Sequence, residues 1–579
     1  MKNIIQILLL FIFFISCFEV QAQRKKRNNK NAITKKTTVK SNTTSSSNSK
    51  TSAVITRVTL DTVKPNVLTI TSTFKPFLRS ASKLNFTASM PMLDTNKLNL
   101  AYSIPAQNLI FTYQPVPIKP IAYTNSVNTT IANSNYIKLG FGNYAKPYAE
   151  TGLSFGSNKT TLFTVLAKYH QAKGSILFQE STQAQVNLNA DFNTIKNHDL
   201  VASFLYKLTA QNKYGTNPNF VFNKDQLKQN FNTAEAAFQL HSKASSEFGI
   251  TYHPKLKASL FFDDKQANEA SIILEAPIEK YISKKISLGV GILADLSFYK
   301  NNNTSISNNV FAIQPKIQFT NQDLMIRLGV QPTWNNTELE LLPDIAAEYF
   351  LAKEKFIVLG GIKSWIQKNT FQSMASINPY IDQPTMFLNT KTNEIFAGLK
   401  GAVGKHFSFA GKLSFIKTTN QVLFANDTAN NKSQNFNILY EPNLKSIKIS
   451  GEISYTDKEK FSLVTGVVFT QFTAQEKHEK AFGILPFEIN SSVRYHVLKD
   501  VVLKSDLFIW DGAHYRVKNN ITGKSKMVLD LNIGAEVKVL KNTNFYLDLN
   551  NLFNTEYQRW NQYNVFGFNV VAGVVYSFQ

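Results

Sequence analysis

From Tyr136 to the chain end, apolar residues recur at every second position over runs longer than ten residues, and this period restricts the fold more than any other feature. Ile286, Leu288, Val290, Ile292, Ala294, Leu296 and Phe298 alternate with Ser287, Gly289, Gly291, Asp295 and Ser297; only Leu293 is out of step. Leu529, Leu531, Ile533, Ala535, Val537 and Val539 alternate in the same way with Asp530, Asn532, Gly534, Glu536 and Lys538. A third run sets Phe566, Phe568, Val570, Ala572, Val574, Tyr576 and Phe578 against Gly567, Asn569, Gly573 and Ser577. Period two is the strand signature. Strands of soluble proteins average about five or six residues, whereas a tilted strand crossing a bilayer needs about 9–11. Charged and amide side chains at every second position are ruinous in a dry sandwich core and harmless against a water-filled interior.

Backbone groups in lipid find no water, so membrane strands must close on themselves. The expected fold is therefore all-β, a transmembrane antiparallel barrel over residues 135–579. At about 20 residues per strand with its connection, this region holds roughly 18–24 strands. Gly156-Ser157-Asn158-Lys159 and Lys300-Asn301-Asn302-Asn303 have turn composition. No apolar stretch after the first 22 residues reaches the ~18 of a membrane helix. The alternative, a secreted sandwich or β-helix, does not account for lumen-type charges in strands this long.

Three zones precede the barrel. Lys2, the apolar run Ile4 to Ile15 and the small-residue end Val20-Gln21-Ala22 make residues 1–22 a secretory signal; cleavage before Cys17 with lipidation is the alternative. Residues 23–64 hold 11 Lys+Arg against one acid, Asp61, among Asn, Ser and Thr, and are expected to be a disordered basic tail on the periplasmic side. The tail acts as a spacer or meets an anionic envelope polymer, lipid head groups or an acidic partner; nucleic acid is not expected for an exported chain. Residues 65–134 carry seven of the 18 prolines and no glycine, which suggests an extended segment rather than a domain. It is expected to fold into or under the lumen. With Cys17 as the single cysteine, a disulfide framework and Cys-based metal sites are excluded.

Near the C-terminus, Asn551-Leu552-Phe553-Asn554-Thr555-Glu556-Tyr557 precedes the last strand, which ends Tyr576-Ser577-Phe578-Gln579. This resembles the ending of TonB-dependent outer-membrane receptors, in which an N-L-F-[DN]-x-x-Y turn leads to a final strand with a terminal aromatic. The resemblance implies delivery to the outer membrane by the insertion machinery. Phe568, Val570, Ala572, Val574, Tyr576 and Phe578 would be the recognition signal, and Asn551, Leu552, Phe553, Asn554 and Tyr557 the family-like turn. The Lys-, Asn- and Phe-rich composition with this ending also resembles Bacteroidota proteins. The family's plug domain, rich in glycine turns, has no counterpart, because residues 24–139 contain no glycine.

Catalytic and cofactor motifs are missing. The eight histidines show no metal-ligand helical spacing and no H-E-x-x-H, so no metal and no cofactor is expected. Gly398 to Lys405 has the wrong spacing for a phosphate loop, and no G-x-S-x-G elbow occurs. A barrel hydrolase would have to start from His198-Asp199 or from Asp511 near His514. Trp334, Trp365, Trp510 and Trp560 are candidates for interfacial girdles or for core packing. The expected function is non-enzymatic: a transport conduit or a membrane-embedded subunit of an envelope complex. A scaffold binding envelope proteins or polysaccharide is the alternative. The partners are outer-membrane lipids, the insertion machinery and periplasmic or surface envelope proteins.

Overall fold

Each long alternation folds as one strand, because a pleated backbone sends successive side chains to opposite faces. In Ile286–Lys300, Ser287 is 3% exposed and Leu288 43%; in Val528–Leu540, Glu536 is 2% exposed and Val537 39%. In these two strands the apolar set points outward and the polar set points inward. A computed structural model describes residues 135–578 apart from 158–159, 194–196, 216–220, 244, 352–354, 428–433, 458–459 and 517–520. The signal segment, the basic tail and residues 65–134 lie outside the described residues.

The main sheet has 23 strands. Ile250–Tyr252 and Lys255–Asp263 share one position against Asn268–Tyr281, so the wall has 22, within the range read from length. Asn135–Gly142 pairs antiparallel with the last strand, Asn569–Phe578, from Asn135↔Phe578 to Gly142↔Val571, and this closes the barrel. Both chain ends of the barrel therefore meet at one rim. Connections at that rim include the short turns 321–323, 499–500 and 541–542, while residues 213–227, 368–389, 476–486, 511–527 and 551–568 connect strands at the opposite rim.

Phe407–Asn426 and Phe436–Asp457, of 20 and 22 residues, stand beyond their neighbours at this loop rim. Their projecting ends are buried on both faces. Val422, Phe424 and Phe436 join an inner cluster, whereas Leu423 and Ala425 pack against Ala481 and Phe482 of the next loop.

Two expectations change. The inner wall is not uniformly polar or small, because Val571 and Val575 pack inside with Tyr148, Tyr546 and Tyr136. Nor do its polar residues simply face water. Lys504 reaches Glu536 at 3.1 Å, Lys412 Glu394 at 2.7 Å, Lys400 Glu348 at 2.9 Å and Arg327 Asp344 at 3.1 Å. A buried charge is tolerated when paired and hydrogen-bonded, and these inward charges answer one another.

Candidate functional site

The C-terminal turn motif is a clamp that bends its loop back over the barrel mouth. Asn551 and Asn554 have φ of 48° and 50°, the left-handed region that asparagine tolerates because its short amide bonds the local backbone. Asn551 donates through Nδ2 to the carbonyls of Thr555 and Phe566 at 3.0 and 3.3 Å and accepts from Thr555 N at 2.9 Å. Its own N–H donates to Asn532 Oδ1 on the wall at 2.9 Å. Asn554 Oδ1 accepts from Phe568 N at 2.7 Å, and the Tyr557 hydroxyl donates to Asp530 Oδ2 at 2.6 Å. Leu552 N donates to Leu531 O, whereas Phe553 is exposed. In the last strand, Ala572 and Tyr576 are exposed on the outward face that they share with Val570, Val574 and Phe578.

The clamped loop meets a second one, residues 368–389. Its helix, Phe371–Ile377, opens with a reciprocal Thr370–Ser373 capping box, and Glu269 on the wall accepts from Phe371 N at 2.6 Å and Gln372 N at 3.2 Å. These bonds satisfy amides that have no partner within the helix. Phe371 then inserts edge-on against Phe231, Phe261 and Tyr299. Beyond the helix, Tyr380 stacks on Tyr563 of the C-terminal loop with centroids 3.5 Å apart, and Trp560 packs edge-on against Phe424 and Phe436. Tyr214 OH and Gln179 Nε2 both donate to Asn564 O, and Arg559 donates to Gly483 O at 2.9 Å while lying 4.2 Å from the Trp560 ring centre. Burial pulls the Arg559 guanidinium down to about 9 against the opposing pull of Glu488.

The two loops thus knit strands from around the perimeter into one aromatic cap. Each aromatic pair is worth about 0.5–1.5 kcal/mol beyond its buried area, so several together hold the two loops against each other. Trp510 and Trp560 belong to this inner core rather than to a girdle, with Trp510 edge-on to Tyr557 at 5.3 Å. No period marks Tyr380 or Tyr563 in the sequence.

Beside the cap lies a cleft of about 340 Å³ whose lining includes Lys213, Asp263, Lys265, Asp382, Gln229 and Gln383. Lys213 Nζ stands 3.5 Å from Asp382 Oδ1, and Gln383 Nε2 donates to Asp263 Oδ2 at 2.8 Å. These contacts tie loop 368–389 to the rim through cleft-lining side chains. Burial lowers the Lys213 ammonium to about 8 and raises the Asp382 carboxyl.

His198 Nε2 lies 2.6 Å from Tyr252 OH, Asp199 pairs with Lys243, and Asp511 holds Lys524 at 2.6 Å rather than His514. Gly398 to Val403 lie within the strand Thr390–Val403, not in a loop. Among the described residues, no group of three or more His, Cys, Asp or Glu could hold a metal ion.

No sequence family and no curated protein matches the chain. Solved structures do. The FrpB iron transporter from Neisseria meningitidis superposes with a TM-score of 0.60 at 10% identity over 78% of this chain and 82% of its own. The pyoverdine outer-membrane receptor FpvA from Pseudomonas aeruginosa gives 0.59 at 12% identity over 77% and 78%. The siderophore receptor PirA from Acinetobacter baumannii gives 0.59 at 8% identity over 77% and 80%. The fold is that of a Gram-negative outer-membrane β-barrel. At such identity the likeness concerns architecture, a 22-stranded wall like that of TonB-dependent receptors, and carries no ligand with it.

Proposed function

We propose that the protein is an outer-membrane transport conduit, plugless with respect to the TonB-dependent type, whose outer mouth is closed by its own loops. The observation that carries this reading is the aromatic cap joining residues 368–389 to 551–568, with a polar cleft whose lining also attaches one cap loop. A solute seated in the cleft displaces the Lys213–Asp382 and Gln383–Asp263 contacts and frees that loop. In this reading residues 65–134 fold into or under the lumen, and the basic tail, residues 23–64, lies on the periplasmic side of a Gram-negative cell of Bacteroidota type. The alternate residues Phe568 to Phe578 serve as the insertion signal, with Asn551 to Tyr557 positioning the strand before it. No enzymatic step belongs to this reading.

Single-channel conductance in planar bilayers tests it. The wild type is expected to be nearly silent, a Tyr380→Ala/Tyr563→Ala variant to conduct, and removal of residues 24–134 to raise conductance further. If all three remain equally silent, the conduit reading fails. The closed mouth suits a second reading, a membrane-embedded scaffold, and stoichiometric envelope proteins co-purifying with a silent barrel would favour it.

A further inference from the structure

Several inward charges pair across neighbouring strands, whereas, among the described residues, two lysines of the outer wall stand together without an acid. Lys417 and Lys445 are directly opposed on neighbouring antiparallel strands, Phe407–Asn426 and Phe436–Asp457. Both are exposed, and both share the parity of the outward residues Leu413, Phe415, Ile449 and Ile453, whereas Lys412 and Ser414 of the opposite parity are buried. Directly opposed residues have α-carbons only about 4.5–5.5 Å apart, and like charges so placed destabilise a sheet. Among the described residues neither ammonium has an acidic partner. Lys391, two residues from Asn393 on the neighbouring strand, does, since it pairs with Glu340. Glu476, close to this rung, is engaged by Asn443.

Position decides what would neutralise the pair. The rung Ser364–Asn393–Lys417–Lys445 runs continuously across four strands, and the next outward rung toward the turn rim is Ile362–Ile395–Phe415–Ile447. Polar residues thus give way to lipid-facing apolar residues within a single step, which is the level of the lipid head groups on the loop side. A soluble anion would meet the ammoniums but not the apolar rung; an amphiphile meets both. We infer that Lys417 and Lys445 form a binding site for the phosphate of an anionic lipid headgroup in the loop-side leaflet, with the acyl chains lying along Ile395, Phe415 and Ile447. Two ammoniums sharing one phosphate make charge-assisted hydrogen bonds and remove the repulsion between them.

The test is native mass spectrometry of the full-length protein released from dodecylmaltoside, with dihexanoyl phosphatidic acid as probe. Dihexanoyl phosphatidylcholine, which carries no net charge, and inorganic phosphate serve as controls. The wild type is expected to retain a phosphatidic acid adduct, Lys417→Gln/Lys445→Gln to lose it at least tenfold, and Lys417→Arg/Lys445→Arg to keep it. Heat-dependent gel mobility confirms that each variant is folded, and single substitutions replace the double one if it is not. An undiminished adduct in the glutamine variant, no adduct in the wild type, or equal retention of inorganic phosphate overturns the inference.

Discussion

Asparagine turns the C-terminal loop inward because it does two things at once. Glycine would adopt the left-handed conformations at 551 and 554, but it could not bond Thr555, Phe566 and Phe568 as these side chains do. The N-L-F-N-x-x-Y string is thereby explained as mechanics, with Tyr557 reaching Asp530 as its far anchor. At the cleft, Lys213 sets a pH response. Its ammonium falls from an ordinary 10.5 to about 8 through burial, so the attached loop binds fewer protons than the detached one between those values. Attachment therefore strengthens as pH rises from about 8 to 10.5, and that contribution is lost as pH falls through 8. Asp382, raised by burial, has the opposite sign in acid: its contribution is present below the ordinary 3.8 and fades as pH rises through its elevated value. Amide hydrogen exchange in loop 368–389 is expected to slow between pH 8 and 10, after correction for intrinsic rates, and Lys213→Met should flatten that trend. A slope unchanged by the substitution would show that another group is responsible.

At the scale of elements, the joint between first and last strands depends on space as well as hydrogen bonds. Gly140 opposes Gly573 across it, and the Tyr546 ring fills the shared gap: a Cβ on Gly140 would lie 1.9 Å from the tyrosine oxygen. Lys138 reaches past the last strand to Asp548 at 3.6 Å, with its ammonium 3.9 Å from the Tyr546 ring centre, and Lys146 donates to Asn569 at 3.1 Å. Side chains from strands on both sides therefore fix the closing register. Gly140→Ala and Tyr546→Ala should each lower the temperature at which the compact band disappears on semi-native gels. Because both act on one gap, the double variant should lose less than the sum, by about 0.5–3 kcal/mol. Strict additivity would mean that the ring and the glycine do not share that space.

For the whole molecule, the wall strands turn an apolar face outward to hydrocarbon and a mainly polar face to the interior. A lysine on the lipid face costs about 2–4 kcal/mol near the bilayer midplane. Leu531→Lys/Val574→Lys is expected to leave the outer-membrane fraction for aggregates, and normal carbonate-resistant integration of that variant would contradict the lipid-facing assignment. The alternation behind this assignment is local, which is why it could be read from the chain: strand, faces and the need for closure follow from side chains two residues apart. The candidate site could be read only in fragments. Asn551 to Tyr557 were visible as a turn and Asp530 as an inward position, but nothing joined them, and Trp510 and Trp560 were equally good girdle candidates. Tyr380 and Tyr563, like Lys138 and Asp548, meet only because the barrel closes and its loops fold across one mouth. Contacts between residues so far apart leave no period in the sequence. Composition and spacing determined that this chain is a barrel wall, and three-dimensional closure alone decided which charges pair, where the seam locks and what shuts the mouth.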